Sequence, residues 1–499
     1  MSNNVFMNGL QSSTNYTYTE NQALTHKTSG SDVLDMFAQG GAYRKRSEDD
    51  CILLFKNAYA DNPKYALKCL FYLRDIRGGQ GERRFFRVCY RWLINNDKKA
   101  AKRNLNYISE YGRWDDLLYI TDGTSLWNDA MAMVHEQLMA DMASCVHSDK
   151  TGISLLAKWM PSENTSSKET KILANKVRES LKVNHRQYRK TLSVLRERLN
   201  VLERLMSAGR WDEIEFDKIP SKAGLKYRNA FARRDMIAQK YEKFAKDKNT
   251  KVNAAALYPY EVVEKARNHL YDDTERAMIN KYWESMDNVF ADATIDALCV
   301  IDTSGSMTWG HNPYPIDVAI SLGLYCADKA RGPFAGHYIS FSSRPQLIRT
   351  EGIDFVDKVY RIYRTNLCEN TNIEATFDLL LNTAIKNHCK QEDLPKTLVI
   401  CSDMQFDQAR GSYYSYKSSV KTLMENIEAK WNAHGYKMPN LVYWQVNATA
   451  NGNFPMEVKD GVMYVSGCSP TIFKQVLTNK NAFDLMFEVL DSPRYEPIG

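Results

Sequence analysis

The chain has 499 residues, of which 44% are hydrophobic and 25% are charged, and its formal net charge is +6. These values are typical of a soluble globular protein that buries sizeable cores. No apolar run approaches the roughly 18 residues needed to cross a membrane, and the polar N-terminus lacks a secretion signal, so we expect a cytoplasmic protein without a membrane partner.

The charge is distributed unevenly along the chain. Residues 1–290 carry 47 basic and 37 acidic residues, a net charge of +10, whereas residues 291–499 carry 19 and 23, a net charge of −4. The front part is therefore the part to test for nucleic-acid binding. The ten cysteines form no CxxC pair, which is typical of reduced thiols in a cytosolic protein.

Residues 1–33 and residues 34–290 differ in composition and in the spacing of their apolar residues. Residues 1–33 are rich in Ser, Thr and Asn, and they predict a flexible tail. From 34 to 290, apolar residues recur at helical spacing, as do Phe85, Cys89 and Trp92, and strand-like alternation is nearly absent. This pattern predicts an all-α module of stacked, HEAT-like helical repeats, and leaves open whether the module closes into a ring.

The tetrapeptide Gly-Arg-Trp-Asp occurs twice, beginning at Gly112 and at Gly209. Each glycine can end the preceding helix in the left-handed conformation. The aspartate three residues later can cap the next helix. The repeated motif therefore indicates two similar helix–helix corners.

From about residue 291 the sequence pattern changes and predicts alternating strands and helices. Strands are predicted at 294–302, 336–343, 396–403, 440–447 and 461–467. Helices are predicted at 316–331, 372–388, 414–434 and 470–478. Continuous apolar strands that alternate with helices favour a doubly wound parallel sheet, so the fold class is α plus α/β. In such a sheet, ligands bind at the carboxyl ends of the strands.

Oxygen-bearing side chains follow two of these strands. Asp302, Ser304 and Ser306 stand at the end of the first, Asp403 ends the third, and Thr371 precedes a helix between them. Ligands that offer only oxygen suit a hard divalent cation such as Mg²⁺, or another such as Mn²⁺ or Ca²⁺. The alternative is that Asp-Thr-Ser-Gly-Ser forms an ordinary polar turn.

The order D-x-S-x-S, then T, then D resembles the metal-ion-dependent adhesion site (MIDAS) of von Willebrand factor A domains. By that resemblance Ser304, Ser306 and Thr371 would approach the ion directly or through water. Asp302 and Asp403 would hold its waters. A carboxylate from a protein partner would complete the octahedron.

Three motifs, R-D-I-R-G-G-x-G-E-R, G-R-W-D and D-x-S-x-S, together resemble an uncharacterised bacterial, phage and plant family that joins a helical module to a von Willebrand A domain. The resemblance covers nearly all of residues 34–499. That family is similar in architecture to the Ro ribonucleoprotein, whose TROVE module is a ring of helical repeats. The resemblance implies a TROVE-like module at 34–290 and a von Willebrand A-like domain at 291–499. It also implies that the partner is a small non-coding or defective RNA.

Two groups of basic residues are the candidate RNA contacts. They are Arg74, Arg77, Arg83, Arg84 and Arg87, and Lys182, His185, Arg186, Arg189 and Lys190. Arginine contacts phosphate through two donors, and Tyr188 would offer a stacking face. The alternatives are internal ion pairs and ordinary solvated helix faces. The glycines of 78–81 suit either an anion-binding loop or a tight turn between helices.

No catalytic constellation is found, because the P-loop Lys-[Ser/Thr], the H-E-x-x-H pair and the G-x-S-x-G elbow are all missing from the sequence. We therefore expect a non-catalytic RNA-binding scaffold with a magnesium-dependent partner site. The alternative is a metal-dependent protein-binding adaptor or phage-associated structural protein without RNA. A hydrolase built on the metal is a third interpretation, without a candidate general base.

Overall fold

A computed structural model of the chain describes residues 15–146, 152–199, 201–254, 257–268, 272–291, 294–310, 313–341, 344–365, 372–406, 422–448, 453–477 and 481–499. Its front half is mainly helical and its rear half contains a sheet with helices between the strands, which confirms the predicted α plus α/β class. No helix among these residues is both long enough and apolar enough to cross a membrane.

The front half begins with a hairpin and continues as helices. Its elements are β1 (Tyr16–Tyr18), β2 (Leu24–His26), α1 (Asp32–Gln39), α2 (Glu48–Asp61), α3 (Pro63–Arg74), α4 (Arg83–Asn96), α5 (Lys98–Asn104), α6 (Ile108–Tyr111), α7 (Trp114–Thr121), α8 (Trp127–Val146), α9 (Leu156–Trp159), α10 (Lys168–Ser180), α11 (His185–Arg198), α12 (Leu202–Ser207), α13 (Ser221–Ala232), α14 (Asp235–Lys246), α15 (Pro259–Asn268) and α16 (Asp273–Glu284).

The rear half alternates strands and helices. Its elements are β3 (Ala297–Asp302), α17 (Pro315–Lys329), β4 (His337–Phe341), β5 (Leu347–Arg349), α18 (Phe355–Thr365), α19 (Ile373–Lys386), β6 (Thr397–Ser402), α20 (Leu423–Ala433), β7 (Asn440–Gln445), β8 (Val462–Ser466), α21 (Ile472–Val476) and α22 (Ala482–Leu490). All five predicted strands are present, and β5, α18 and α22 are additional elements that the pattern did not indicate.

The six strands of the main sheet lie in the order β5-β4-β3-β6-β7-β8. All neighbours pair in parallel except the short edge strand β5, which is antiparallel to β4. Every residue of β3 and β6 is buried, as expected for apolar strands covered on both faces. The chain leaves β3 toward β4 on one side and later returns to β6 on the other. The gap between the ends of β3 and β6 is therefore the topological switch point, where such sheets bind ligands.

The chain divides into two compact units, and their boundaries differ from those predicted at 34 and 291. The α/β unit contains residues 1–69 and 257–496, and the helical unit contains residues 70–256 and 497–499. The helices α15 and α16 join the α/β unit because they pack on α17 and α18. Helical spacing identifies such helices but does not reveal which core their apolar faces contact.

Residues 1–33 were predicted to form a flexible tail. The described residues of this segment, from 15 onward, instead belong to the α/β unit. The strands β1 and β2 pair as a hairpin. Backbone bonds of 2.9 and 3.0 Å then join His26 to Phe454 in both directions. Strands of three residues are too short to show alternation, and the partner at Phe454 lies more than 400 residues away in sequence.

The helical unit has an aromatic core and contains both Gly-Arg-Trp-Asp corners. Phe71 makes edge contacts with Phe86 and Tyr111, with ring centroids 5.3 Å apart in each case. Gly209 has φ of +74°, the left-handed conformation that the motif predicts. Gly112 has φ of −113° and is held differently, because an added Cβ would lie 2.6 Å from a carboxylate oxygen of Asp116. The two corners therefore share a sequence but not a geometry.

Candidate functional site

The ends of β3 and β6 bring the two predicted aspartates to one edge of the sheet. Ile301 is aligned with Cys401 in the parallel register, so Asp302 follows on one strand where Ser402 and Asp403 follow on the other. Both aspartates are fully buried. This register places Asp302 and Asp403 at neighbouring strand ends.

Hydroxyl groups and backbone amides surround the first carboxylate. The Ser402 hydroxyl donates to Asp302 Oδ2 at 2.5 Å, and the Ser304 N–H donates to Asp302 Oδ1 at 2.9 Å. The hydroxyl oxygens of Ser304 and Ser306 lie 3.1 Å apart. The first loop therefore presents a compact group of oxygens beside the strand end, and Ser402 is a member that sequence reasoning missed.

The second carboxylate, Asp403, is incompletely satisfied by the protein. Its Oδ1 accepts the Gln405 N–H at 3.2 Å, whereas its buried Oδ2 has no hydrogen-bond partner among the described residues. Burial and the nearby charge of Asp302 raise the pKa of Asp403 to about 7, and the Ser306 hydroxyl partly opposes that rise. A buried carboxylate oxygen without a partner, next to a second carboxylate, is an arrangement that a cation would stabilise.

The residue after Asp403 has a strained backbone. Met404 has φ of +64°, an uncommon value for a residue other than glycine, and its side chain is buried. Its N–H donates to the Ser402 hydroxyl at 3.0 Å, and its carbonyl accepts the Asn453 amide at 2.6 Å. Such strain persists where surrounding contacts hold it and is concentrated at functional sites. The sequence carries no signal for it.

The turn between β1 and β2 holds the loop that follows Asp403. The Thr19 hydroxyl donates to the Phe406 carbonyl at 2.8 Å, and the Asn21 amide donates to the Gln405 carbonyl at 2.7 Å. The Glu20 N–H donates to the Gln405 side chain at 2.7 Å. A segment that was expected to be a flexible tail thus positions the loop that follows Asp403.

The fifth predicted ligand, Thr371, lies outside the described residues and stays a prediction. The next residue, Asn372, caps α19 by accepting the Ala375 N–H at 2.9 Å. The structure therefore brings together Asp302, Ser304, Ser306 and Asp403 of the predicted set. Trp309, which was not among the predicted ligands, follows Ser306 by three residues in the chain, and its side chain is 78% exposed.

The first group of candidate RNA contacts is partly used inside the helical unit. Arg74 is only 1% exposed and donates to Asp116 Oδ2 from two nitrogens, at 2.6 and 2.9 Å. Arg87 donates to Asp116 Oδ1 at 2.7 Å and to Asp115 at 3.1 Å. Arg77 is exposed, although it donates to the carbonyl of Glu110. The internal ion-pair interpretation therefore applies to Arg74 and Arg87, whose charges are balanced by the buried Asp116 and the half-buried Asp115.

The remaining residues of that group, Arg83 and Arg84, are exposed at the start of α4. The glycine-rich turn before them makes bonds within the protein. The N–H groups of Gly79 and Gly81 donate to the Asp75 carbonyl at 3.2 and 3.1 Å. Because these amides are already bonded, the tight-turn interpretation accounts for them without an anion.

The second group of candidate RNA contacts lies on the surface at the start of α11. Lys182, His185, Arg186, Arg189 and Lys190 are all exposed. His185 lies 2.7 Å from a carboxylate oxygen of Glu163, whereas the described residues provide no ion pair to the other four. Tyr188 is buried and donates its hydroxyl to the Pro161 carbonyl at 2.7 Å, so the expectation that it offers a stacking face is wrong.

Comparisons with known proteins place the chain among uncharacterised relatives. A domain of unknown function, DUF2828, matches residues 19–122 and 124–294, and a second, DUF7788, matches residues 296–493. The uncharacterised protein L728 of Acanthamoeba polyphaga mimivirus is 29% identical over 97% of this chain and 89% of its own length. The crystal structure of the Ro (RSR) protein of Deinococcus radiodurans is 15% identical, covers 95% of each chain and has a TM-score of 0.37. A TM-score of this size does not establish a shared fold.

Proposed function

The chain belongs to the family defined by the domain of unknown function DUF2828, and we propose that this member is a non-catalytic scaffold with two binding surfaces. The α/β unit holds a divalent cation of the Mg²⁺ class that accepts a carboxylate from a protein partner. The helical unit binds RNA through the exposed basic residues at the start of α11.

The cation proposal rests on one observation: Oδ2 of Asp403 is buried beside the carboxylate of Asp302 and has no partner in the described part of the chain. Ser304 and Ser306 add neutral oxygens, and Thr371 is the further candidate from the sequence. This set offers oxygen ligands only, which suits Mg²⁺ or Mn²⁺ rather than Zn²⁺. When bound, such a cation supplies an electrophilic position for an incoming carboxylate oxygen. The residues of this chain hold it and exclude bulk water from the strand ends.

Titration of the metal-free protein with Mn²⁺ tests the site, with Ser304→Ala as the variant. We expect wild type to bind Mn²⁺ in competition with Mg²⁺, and Ser304→Ala to bind at least about tenfold more weakly because one oxygen is lost. The matched control is Ser321→Ala, since Ser321 is also buried in the α/β unit but donates to the Val318 carbonyl at 2.8 Å within its own helix. Equal affinity in all three proteins would refute the cation proposal.

The RNA proposal rests on Lys182, Arg186, Arg189 and Lys190, which are exposed and without ion pairs to the described residues. Unbalanced cations on one short stretch of surface attract phosphates and release counterions on binding. Because Tyr188 is buried, its ring cannot stack on a base. We therefore expect this surface to contact the phosphates of the RNA. Such contacts position an RNA but do not read its sequence.

A gel shift over a range of salt concentrations tests the RNA surface, using structured RNA and RNA with frayed ends. The variant Arg186→Gln/Arg189→Gln/Lys190→Gln should bind more weakly, and its slope of log affinity against log salt should fall by about 0.7–0.9 for each lost contact. The control is Lys248→Gln/Lys251→Gln, which removes two exposed charges elsewhere in the helical unit. If wild type binds no RNA at micromolar protein but captures a protein partner in an EDTA-sensitive manner, the adaptor interpretation replaces the RNA proposal.

A further inference from the structure

We propose a second cation site in the α/β unit, formed by His26, Glu425 and Glu457, which takes a transition-metal ion of the Zn²⁺ class. It shares no residue with the Asp302–Asp403 site and does not depend on the function proposed above. Its three residues come from three separate segments: β2, the first turn of α20 and the chain between Phe454 and β8. Each offers one ligand atom, and these atoms lie within 4.8 Å of one another.

The separation of two of these atoms matches metal coordination. His26 Nε2 lies 3.3 Å from Glu425 Oε1. Two ligands at about 2.0–2.1 Å from a tetrahedral ion are separated by about 3.3 Å, so these two atoms are spaced like two ligands of a zinc-sized ion. The same distance is long for a charge-assisted hydrogen bond, which is typically about 2.7–2.9 Å.

The fold holds the imidazole of His26 firmly in place. The backbone N–H and carbonyl of His26 both form hydrogen bonds with the backbone of Phe454. The neighbouring Thr25 hydroxyl donates to the Asn453 side chain at 2.9 Å. The ring packs against the ring of Tyr16, with centroids 5.1 Å apart, and the residue is 2% exposed. A ligand held in this way loses little freedom when an ion binds.

The hydrogen bonding of this buried ring is poorly satisfied by the protein alone. Nδ1 has no partner among the described residues, and the polar neighbour of Nε2 is the Glu425 carboxylate. In the tautomer with its proton on Nε2, the ring donates to Glu425 Oε1; in the tautomer with its proton on Nδ1, the lone pair of Nε2 faces that oxygen and can bind a cation. The buried imidazole, whose Nε2 faces Glu425 Oε1 in a group of three ligand atoms that lie within 4.8 Å of one another, distinguishes the site from an acidic surface cluster.

The two glutamates are placed to complete the site and to admit an ion. Glu425 Oε2 accepts the Thr422 N–H at 2.7 Å, which orients the carboxylate so that Oε1 faces the ring. Glu457 is exposed, and both glutamates line a cleft of about 330 Å³ that is open to solvent. The cleft also contains Glu428 and Lys459, which pair with each other at 2.5 Å, so Lys459 is already engaged by a carboxylate other than those of Glu425 and Glu457.

The ligand types indicate which ion the site would take. An imidazole nitrogen with carboxylate oxygens suits Zn²⁺ or Co²⁺, whereas Mg²⁺ prefers oxygen alone. Three protein ligands leave a position for water or another ligand. The two proposed sites therefore differ in chemistry, and each can be filled separately.

The test is titration of the full chain with Co²⁺ and Zn²⁺ in buffer saturated with Mg²⁺. Wild type should show the visible absorption of tetrahedral Co²⁺ with nitrogen and oxygen ligands, and Zn²⁺ should displace it. His26→Gln should abolish the signal, and Glu457→Gln should weaken binding by about tenfold or more. Because Glu457 is exposed, Glu457→Gln keeps the test valid even if His26→Gln fails to fold.

Two controls identify the site. His434→Gln changes another histidine of the α/β unit, whose Nδ1 lies 2.9 Å from the Lys430 carbonyl, and it should bind Co²⁺ as wild type does. Ser304→Ala should also retain Co²⁺ binding, because it alters only the other site. Binding that is unchanged in Glu457→Gln, or lost in Ser304→Ala, would overturn the proposal; in either case His26 and Glu425 would form a simple ion pair.

Discussion

At the scale of single residues, Asp116 is the charged group on which the first Gly-Arg-Trp-Asp corner depends. Its carboxylate is fully buried and accepts hydrogen bonds from Arg74, Arg87 and the Arg113 N–H. Burial alone would raise the pKa of Asp116, but the charges and hydrogen bonds of Arg74 and Arg87 outweigh it and hold the pKa below its usual value. The carboxylate is therefore ionised at neutral pH and balances two guanidinium groups.

Replacing Asp116 by Ala should cost about 3–5 kcal/mol of stability, because Arg74 would remain buried without a compensating charge. Urea denaturation of the purified proteins measures this loss. The control Glu136→Ala removes an exposed carboxylate from α8 in the same unit and should change stability by less than about 0.5 kcal/mol. Equal stability of the two variants would show that Asp116 does not carry this role.

A second carboxylate, Asp354, links α16 to the start of α18. Arg276 donates to both of its oxygens at 2.7 Å, Asn280 donates to Oδ2 at 2.8 Å and the Asp357 N–H donates to Oδ1 at 2.9 Å. Burial would raise the pKa of Asp354, but these bonds together lower it below its usual 3.8. A folded-state pKa below the unfolded-state value means that ionised Asp354 stabilises the fold above pH 3.8.

Asp354→Asn should therefore be less stable than wild type at pH 7, by about 1 kcal/mol after screening by solvent. The difference should shrink as the pH falls through 3.8 and below, because the wild-type carboxyl then becomes protonated and loses the same interactions. Denaturation curves of both proteins at several pH values measure this. A difference that is constant with pH would contradict the linkage.

At the scale of elements, the turn between α3 and α4 shows why its glycines are needed. An added Cβ at Gly79 would lie 2.0 Å from the Tyr72 carbonyl oxygen and 3.0 Å from the Asp75 Cβ. Gly81 has φ of +71°, which side-chain-bearing residues rarely adopt. The turn can hold this conformation because glycine, without a Cβ, stands at these two positions.

Gly79→Ala should destabilise the helical unit by more than about 3 kcal/mol, since the backbone of α3 cannot move away from the new methyl group. Gly305→Ala is the control, because nothing lies within 4 Å of an added Cβ there. Circular dichroism during thermal unfolding compares the two. If Gly79→Ala unfolds at the wild-type temperature, the turn does not need glycine for packing.

At the scale of the whole molecule, the chain divides into two compact units. A ligand that binds one folded unit stabilises that unit by mass action. The proposed Mg²⁺ site lies entirely within the α/β unit, since Asp302, Asp403 and the hairpin that holds their loop all belong to it. The effect of Mg²⁺ on unfolding should therefore be confined to this unit.

Calorimetric unfolding should accordingly show one transition that moves to higher temperature with added Mg²⁺ and one that does not. Ser304→Ala should abolish the shift and leave both transitions otherwise in place. Hydrogen exchange assigns each transition to residues of one unit. A shift of both transitions by the same amount, or of neither, would contradict this expectation.

Much of the α/β unit could be predicted from the sequence. Five strands, three of the helices between them and the meeting of Asp302 with Asp403 follow from local pattern, because parallel strands place their carboxyl ends at one edge. Other features could not be predicted. Whether Arg74 is paired with Asp116 or exposed to solvent depends on contacts across 42 residues, which no local pattern reports.

The sequence by itself determined the α plus α/β class, the oxygen-bearing side chains at two strand ends and the excess of basic residues in the front part, since each depends on residue type at short spacing. The tertiary structure decided which arginines are buried, that Tyr188 is not a stacking face, and that residues 15–69 belong to the α/β unit. It also brought His26 to Glu425 and Glu457. The reason is physical. Burial and hydrogen bonding between distant segments are set by the packing of the whole chain, whereas sequence periodicity depends only on residues that are close together in the chain.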